Sequence, residues 1–250
     1  MSHLDSKIIK SVSVILPLFN ESKRIAKSLP IIEEALENIE EKFNAKCELI
    51  FVDDGSFDST VEVVKSILKF KNTKIISYPQ NTGKGYAIKK GFEVANGDYV
   101  FFMDADLSTP VKYIEEFLEY AGNEIIIGTR KTRPDLVKVS QTLLRKSLGR
   151  GFTILTNFIL GTSVTDFTCG FKMFPKSLGK KIFRNLTISK WSFDAEIVFL
   201  AKYYGYKIRE IPVEWTNDAD TKVKLSKDIL GSLLDILKIK FRSITQAYDN

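Results

Sequence analysis

The sequence predicts an α/β protein whose mostly parallel sheet is wrapped by helices. Three observations carry that expectation. Short apolar runs alternate with amphipathic helical stretches from residue 12 to about residue 130. Several of those runs end abruptly in acidic or glycine-bearing turns, as strands do at the carboxyl edge of an open sheet. No apolar run approaches the roughly 18 residues that a membrane span needs.

Taken in order, Val12–Leu18 reads as a buried first strand, and Asn20-Glu21-Ser22 opens a helical stretch to Phe43 that Pro30 is expected to re-set. Leu49–Val52 is the second strand, ending in Asp53-Asp54-Gly55-Ser56. Asp58-Ser59 then caps a helix over Thr60–Phe70. Lys74–Ser77 is the third strand, and Asn81-Thr82-Gly83-Lys84-Gly85 leads into a helix over Tyr86–Ala95. Asn96-Gly97 turns the chain into Tyr99–Met103, followed by a helix over Lys112–Ala121 and a further strand over Glu124–Gly128. Beyond Ser140 the texture changes. Ser140–Leu160 mixes Leu, Ile and Phe with Arg145, Lys146 and Arg150, and reads as an amphipathic helix packed on the core or lying at a lipid interface. Trp191–Glu196 starts a helix to Tyr204, Lys207–Pro212 is the last strand, and a second basic amphipathic helix begins at Ser226. This divides the chain into a flexible start (1–10), a main α/β domain (11–215) and a loop plus closing helix (216–250).

Composition narrows the chemistry. His3 is the only histidine and lies outside every motif, so histidine triads, histidine-ligated zinc and histidine proton shuttles are unavailable. Cys47 and Cys169 form neither a disulfide framework nor a zinc pattern, which fits a reducing compartment. Met1–Lys10 carries no signal-peptide pattern. The net charge of +6 gathers after Arg130 among apolar residues, a pattern suited to an anionic lipid surface or to phosphates. Aromatic residues form no stacking platform for a nucleic acid.

What remains is carboxylates, lysine, arginine and a hard metal. Asp104-Ala105-Asp106 follows a wholly apolar strand, and in an extended chain residues i and i+2 face the same way. The pair can close on Mg2+ or Mn2+, or merely end a strand before a helix cap at Ser108 or Thr109. Asp53 and Asp54 can bind base or ribose donors, or serve turn chemistry. Lys84, between two glycines at a helix start, can meet a phosphate, or the string can be an ordinary loop.

Together, Val14-Ile15-Leu16-Pro17 with Asn20-Glu21, Val52–Ser56, Asn81–Gly85, Asp104–Asp106, Gly128-Thr129-Arg130 and Asp166–Lys172 resemble the inverting family 2 glycosyltransferases of the GT-A fold. The likeness runs from Ser13 to about Lys227 and is narrowest to the polyprenyl-phosphate and dolichyl-phosphate hexosyltransferases. Trp191–Glu196 and Val213-Glu214-Trp215 look most like the glucosyl branch, and Asp104–Leu107 equally like the mannosyl branch. The resemblance implies transfer of a hexose from a nucleotide diphosphate sugar, UDP-glucose or alternatively GDP-mannose, to a polyprenyl phosphate. A hydroxyl acceptor and a non-catalytic nucleotide-sugar binding protein are the competing readings. The resemblance also implies roles. Pro17, Phe19, Glu21, Val52, Asp53 and Asp54 would hold the nucleoside, and Lys84 the diphosphate. Asp104 and Asp106 would hold the metal, with the backbone of Ala105 facing the sugar. Arg130 and Arg145 would receive the lipid phosphate, with Lys222 and Lys224 in place of an expected late arginine. Asp194 would orient sugar or acceptor, while Glu196 is structural. The protein would work peripherally at the cytoplasmic face of a membrane.

Overall fold

The computed structural model describes residues 9–139, 143–216 and 225–249. Its centre is a seven-stranded sheet in the order β3-β2-β1-β4-β7-β5-β8. The first part is built from β1 (Ser11–Leu18), α1 (Ser22–Phe43), β2 (Lys46–Asp53), α2 (Thr60–Ile67), β3 (Thr73–Ser77), α3 (Lys84–Val94) and β4 (Tyr99–Met103). β1 pairs in parallel with β2 on one side and β4 on the other, so the chain reverses its direction of travel across the sheet at β1. Such a switch point opens a crevice beyond the carboxyl ends of the two diverging strands, here after Leu18 and Met103.

Strand alternation divides the core into two layers. Val14, Leu16, Phe101 and Met103 face one way, against Ile25, Leu29, Ile32 and Leu36 of α1 and Ile114 and Phe117 of α4 (Tyr113–Glu119). Ile15, Ile50, Val100 and Phe102 face the other, against α3 and the later helices. With both faces covered, the strands read as continuous apolar runs, as parallel strands do.

The expected re-setting of the first helix at Pro30 does not occur: α1 runs unbroken from Ser22 to Phe43. Proline removes one ladder bond, but Pro30 is exposed while Leu29 and Ile32 are fully buried on either side. Burial of that face outweighs the roughly 3 kcal/mol by which a mid-helix proline is disfavoured.

The second part is less regular. After β5 (Glu124–Thr129), a single 3-10 turn at Pro134–Leu136 leads to β6 (Val137–Val139), which pairs with β9 (Trp215–Thr216) in a small separate sheet. The basic amphipathic stretch forms α5 (Leu143–Leu160). β7 (Phe171–Pro175) then inserts antiparallel between β4 and β5, followed by α6 (Lys176–Asn185), α7 (Phe193–Tyr203) and β8 (Lys207–Pro212), which lies parallel to β5. β7 was legible in sequence only as a strand-like turn over Asp166–Lys172, and α6 was not anticipated. The closing helix α8 (Leu225–Ile244) packs against α5 and buries Ile236 and Ile239 in the second core layer. Among the described residues, no helix is long and apolar enough to cross a membrane.

Candidate active site

The carboxyl edge gathers the charged residues singled out in the sequence into an alternating cluster. The extended-chain argument for Asp104 and Asp106 needs correcting, because β4 ends at Met103 and the two acids stand in a turn. Leu107 closes that turn with a φ of 53°, and its N–H donates to the Asp104 carbonyl at 3.4 Å. The turn, rather than strand pleating, keeps the carboxylates near one another. Burial and the charge of Asp104 both push the Asp106 carboxyl above the ordinary aspartate range. Asp106 Oδ1 accepts from the Ser108 N–H at 2.9 Å, and the Ser108 carbonyl in turn accepts from Thr216 N–H at 3.0 Å, so β9 steadies the loop. Neither Ser108 nor Thr109 caps the next helix: a tight turn from Pro110 precedes α4, which starts at Tyr113.

Lys84 Nζ is paired with Asp104 Oδ1. Burial alone would lower the lysine pKa, but Asp104 and Asp194 hold it above its ordinary value. The start of α3 is different from the expectation. Its first amides do not face outward to an anion, because Gly85 N–H (2.8 Å) and Tyr86 N–H (3.4 Å) donate to the Ser189 carbonyl. Gly83 and Gly85 are required by that same segment: a Cβ at Gly83 would lie 2.4 Å from the Ser189 carbonyl oxygen. The glycines admit chain, and the side chain of Lys84 alone carries charge to the crevice.

Asp53 and Asp54 are buried and internally bonded. Asp53 accepts from Ser56 N–H at 3.1 Å and Ser77 Oγ at 2.8 Å. Asp54 accepts from Asn81 Nδ2 (2.9 Å), Thr82 N–H (2.8 Å) and Gly83 N–H (2.8 Å). Both carboxylates thus shape the two loops that flank the crevice, which is the turn-chemistry alternative. Val52 is fully enclosed in the core, so its side chain has no face toward a ligand. Pro17 and Phe19 stand at the end of β1, the Phe19 ring meets Phe57 edge-on at 6.0 Å, and Glu21 is paired with Arg24 at 2.9 Å. Asp58, read in sequence as a cap, accepts from Thr60 N–H at 3.0 Å.

Just beyond β5, Arg130 forms a two-point pair with the fully buried Asp166, Nε to Oδ2 at 2.7 Å and Nη2 to Oδ1 at 2.8 Å. Nη2 also reaches Thr168 Oγ1 at 2.8 Å, and the guanidinium lies 5.1 Å from the Trp215 ring centre. Burial would raise the Asp166 carboxyl, but Arg130 holds it well below the usual carboxylate range. The side chain of Arg145 and the whole of Lys222 and Lys224 lie outside the described residues.

Two residues that received no role in the sequence complete the cluster. Lys172 is fully buried in β7 and donates to the Cys169 carbonyl and to Asp194 Oδ1, each at 2.6 Å. Burial pushes the Asp194 carboxyl up while Lys172 pulls against it. Gly170 lies against Asp104 so closely that a Cβ there would sit 2.0 Å from Oδ2. A lysine inside the run Phe171-Lys172-Met173-Phe174 was the sequence signal available for the first, since burying an ammonium demands a partner. Gly170 had none. Glu196, two residues on from Asp194, is wholly buried and faces away, its oxygens taken by Thr187, Ile188 and Tyr248.

An open sheet with its charged cluster at the switch point defines a GT-A frame, and solved structures share it. Mannosyl-3-phosphoglycerate synthase from Rubrobacter xylanophilus superposes with a TM-score of 0.63 at 18% identity, over 97% of this chain and 76% of its own. Glucosyl-3-phosphoglycerate synthase from Mycobacterium tuberculosis, crystallised with Mn2+, UDP and glucosyl-3-phosphoglycerate, gives 0.59 at 17% identity, over 91% and 80%. The family model Glycosyl transferase family 2 matches residues 13–183, and the chain belongs to that family. It is therefore a glycosyltransferase. Its sequence is similar to a dolichyl-phosphate beta-glucosyltransferase of Trichomonas vaginalis, 34% identical over 91% of this chain and 72% of the relative. It is likewise similar to the human dolichyl-phosphate beta-glucosyltransferase, 31% identical over 96% and 78%.

Proposed function

We propose that the protein transfers glucose from UDP-glucose to a dolichyl or polyprenyl phosphate, with inversion at the anomeric carbon. The observation that carries this reading is the sequence of charges along the carboxyl edge: Lys84 against Asp104, Asp106 beside it, then Arg130 bound to Asp166. A donor diphosphate and an acceptor phosphate need cationic groups on opposite sides of a sugar; Lys84 starts the helix packed on β1 and β2, whereas Arg130 follows β5, beyond β4 and β7 in the sheet. The relatives' acceptor is named in their descriptions, which supports the same choice.

The donor set at Asp104 and Asp106 fits a hard divalent cation, Mg2+ or Mn2+. Two crowded carboxylates offer oxygen ligands, and an ammonium already sits against one of them. Such an ion would neutralise charge on the departing diphosphate. Among the described residues no group of three or more metal-binding side chains occurs, so remaining positions would fall to water and phosphate oxygens. Lys84 orients the diphosphate. Arg130, held by Asp166 and the Trp215 face, presents the acceptor phosphate to the anomeric carbon. No strong base is required, because a phosphate monoester with a second pKa of about 6 is already largely anionic near neutral pH. Asp194 is bound to Lys172 and suits an orienting role better than proton abstraction.

The acceptor is a lipid, so the protein would work at a membrane surface, on the cytoplasmic face where nucleotide sugars are available. Ile154 and Phe158 on α5, and Phe241 and Ile244 on α8, are well exposed and support this placement. The test is transfer of labelled glucose from UDP-glucose to polyprenyl phosphate, with polyprenol as control and with chelator added. Metal-dependent transfer to the phosphate alone is expected. Equal use of polyprenol would replace this mechanism with general-base catalysis.

A further inference from the structure

We propose that Tyr248 and Glu196 are positioning residues for the donor site: through Thr187, Ile188 and Ser189 they fix the turn that begins α3 and, with it, Lys84. This rests on the donor-binding role of Lys84 given above.

The connection is continuous. Glu196 in α7 is fully buried, and its Oε2 accepts from Thr187 N–H at 2.9 Å and Ile188 N–H at 2.6 Å. Oε1 accepts from Thr187 Oγ1 and from the Tyr248 hydroxyl, each at 2.7 Å. Tyr248 lies in the turn beyond α8, is 1% exposed, and has the Arg242 guanidinium 5.2 Å from its ring centre. Its carbonyl accepts from the Tyr204 hydroxyl at 2.9 Å. One carboxylate thus ties the C-terminal turn to the 187–188 backbone.

The next residue transmits the position. The Ser189 carbonyl receives the Gly85 and Tyr86 amides of α3, and the fit is backbone on backbone at Gly83, while Gly85 is wedged between the Ile188 carbonyl and the Phe193 side chain. A Cβ at Gly83 would stand 2.4 Å from the Ser189 oxygen, and one at Gly85 would stand 2.8 Å from the Ile188 oxygen. Contacts this close cannot slide without moving the turn. Lys84 lies between the two glycines, and its ammonium meets Asp104. A buried carboxylate serving only stability would have no such path. Here the hydrogen-bonded unit ends on the residue that faces the diphosphate.

Tyr248→Phe removes the hydroxyl and keeps the buried ring. Expected are a rise of about fivefold in KM for the nucleotide sugar, no change in KM for the lipid phosphate, and faster amide exchange at Gly85 and Tyr86. In a Lys84→Ala background the same change should add nothing to the donor KM, since coupled residues are non-additive. Unaltered exchange at Gly85 and Tyr86, or a full additive effect without Lys84, would overturn the proposal. Should Tyr248→Phe fold poorly, Thr187→Val deletes one bond to the same carboxylate, and the same exchange and KM outcomes decide. If wild type transfers no sugar and binds no UDP, the donor reading fails; the amide-exchange result still decides whether the connection exists.

Discussion

The two halves of the carboxyl edge hold their charged groups by different means. Around β1, β2 and α3, buried carboxylates accept backbone amides: Asp54 takes Thr82 and Gly83, and Asp53 takes Ser56. Around β5 and β7, carboxylates instead meet cationic side chains, Asp166 with Arg130 and Asp194 with Lys172. The first arrangement freezes the shape of the loops that flank the crevice. The second leaves charge-balanced pairs beside a face whose helices expose apolar side chains, and of the two cations only Arg130 keeps part of its side chain exposed for the acceptor phosphate proposed above. The difference implies that substitutions on the two sides should separate donor use, acceptor use and stability.

The largest effect falls where the halves meet. Asp104→Ala and Asp106→Ala should each lower transfer by on the order of a thousandfold while melting within a few degrees of wild type, because the carboxylates serve charge placement rather than core packing. Near-normal turnover of either purified variant would remove the metal from the mechanism. Gly170→Ala sharpens the point from the acceptor side. Its methyl would stand 2.0 Å from Asp104 Oδ2, so the carboxylate must move. A fall of about ten- to a hundredfold in kcat is expected, since misplacement by about an ångström of a positioned group has that scale. Wild-type kcat would show that Asp104 has freedom the structure does not suggest.

How much of this was legible in sequence follows the same division. The donor half alternates strand and helix, so Val12–Leu18, Leu49–Val52 and Tyr99–Met103 were readable as apolar runs buried on both faces, and Lys74–Ser77 as a shorter strand that proves to be the half-buried edge. The residues at their ends could be named, but not the direction of their side chains. Asp54 and the Gly85 amide turned out to be satisfied internally, by partners 28 and about 100 residues away, and no local pattern encodes such pairings. In the later half, β7 enters antiparallel between two strands that precede it in the chain, an insertion set by tertiary fit. The Asp166–Lys172 stretch was visible through its likeness to a family, yet the pairing of Lys172 with Asp194 and the contact of Gly170 with Asp104 were not.

Arg130 tests the acceptor half directly. Arg130→Ala removes the proposed acceptor contact and also strands Asp166, which is fully buried, so a stability loss of about 3 kcal/mol should accompany the expected loss of lipid-phosphate use. Arg130→Lys keeps the charge but loses the two-point geometry, and should raise KM for the lipid phosphate about tenfold with a smaller drop in melting temperature. The pair also has a pH signature. The folded-state pKa of Asp166 lies below its unfolded value of about 4, so its stabilisation is complete above that pH and fades as pH falls toward the folded value. Between about pH 5 and 3, wild type should therefore lose melting temperature more steeply than Asp166→Asn. Parallel slopes would mean that Arg130 leaves this carboxyl unperturbed.

The smallest effect on chemistry should come from the exposed apolar side chains of α5 and α8. Ile154 is 70% exposed, Phe158 84%, Phe241 66% and Ile244 69%, while Ile236 and Ile239 of α8 are fully buried. α8 therefore has one face committed to the core and another that nothing among the described residues covers. Leaving four large apolar side chains in water forgoes roughly 2 kcal/mol each relative to full burial, so transfer of even part of this surface into a lipid interface is favourable. Replacing Phe158 and Phe241 together by Ser should lower affinity for anionic vesicles by about tenfold or more, with little change in melting temperature, since neither ring contributes to the core. The same double variant should keep its kcat toward a short, water-soluble prenyl phosphate, because Arg130 and Lys84 are untouched. Apparent KM for a long-chain acceptor in vesicles should rise in step with the lost affinity. A matching loss with the short acceptor would mean that these helices shape the active site itself, and the division between a frozen donor half and an open lipid half would have to be redrawn.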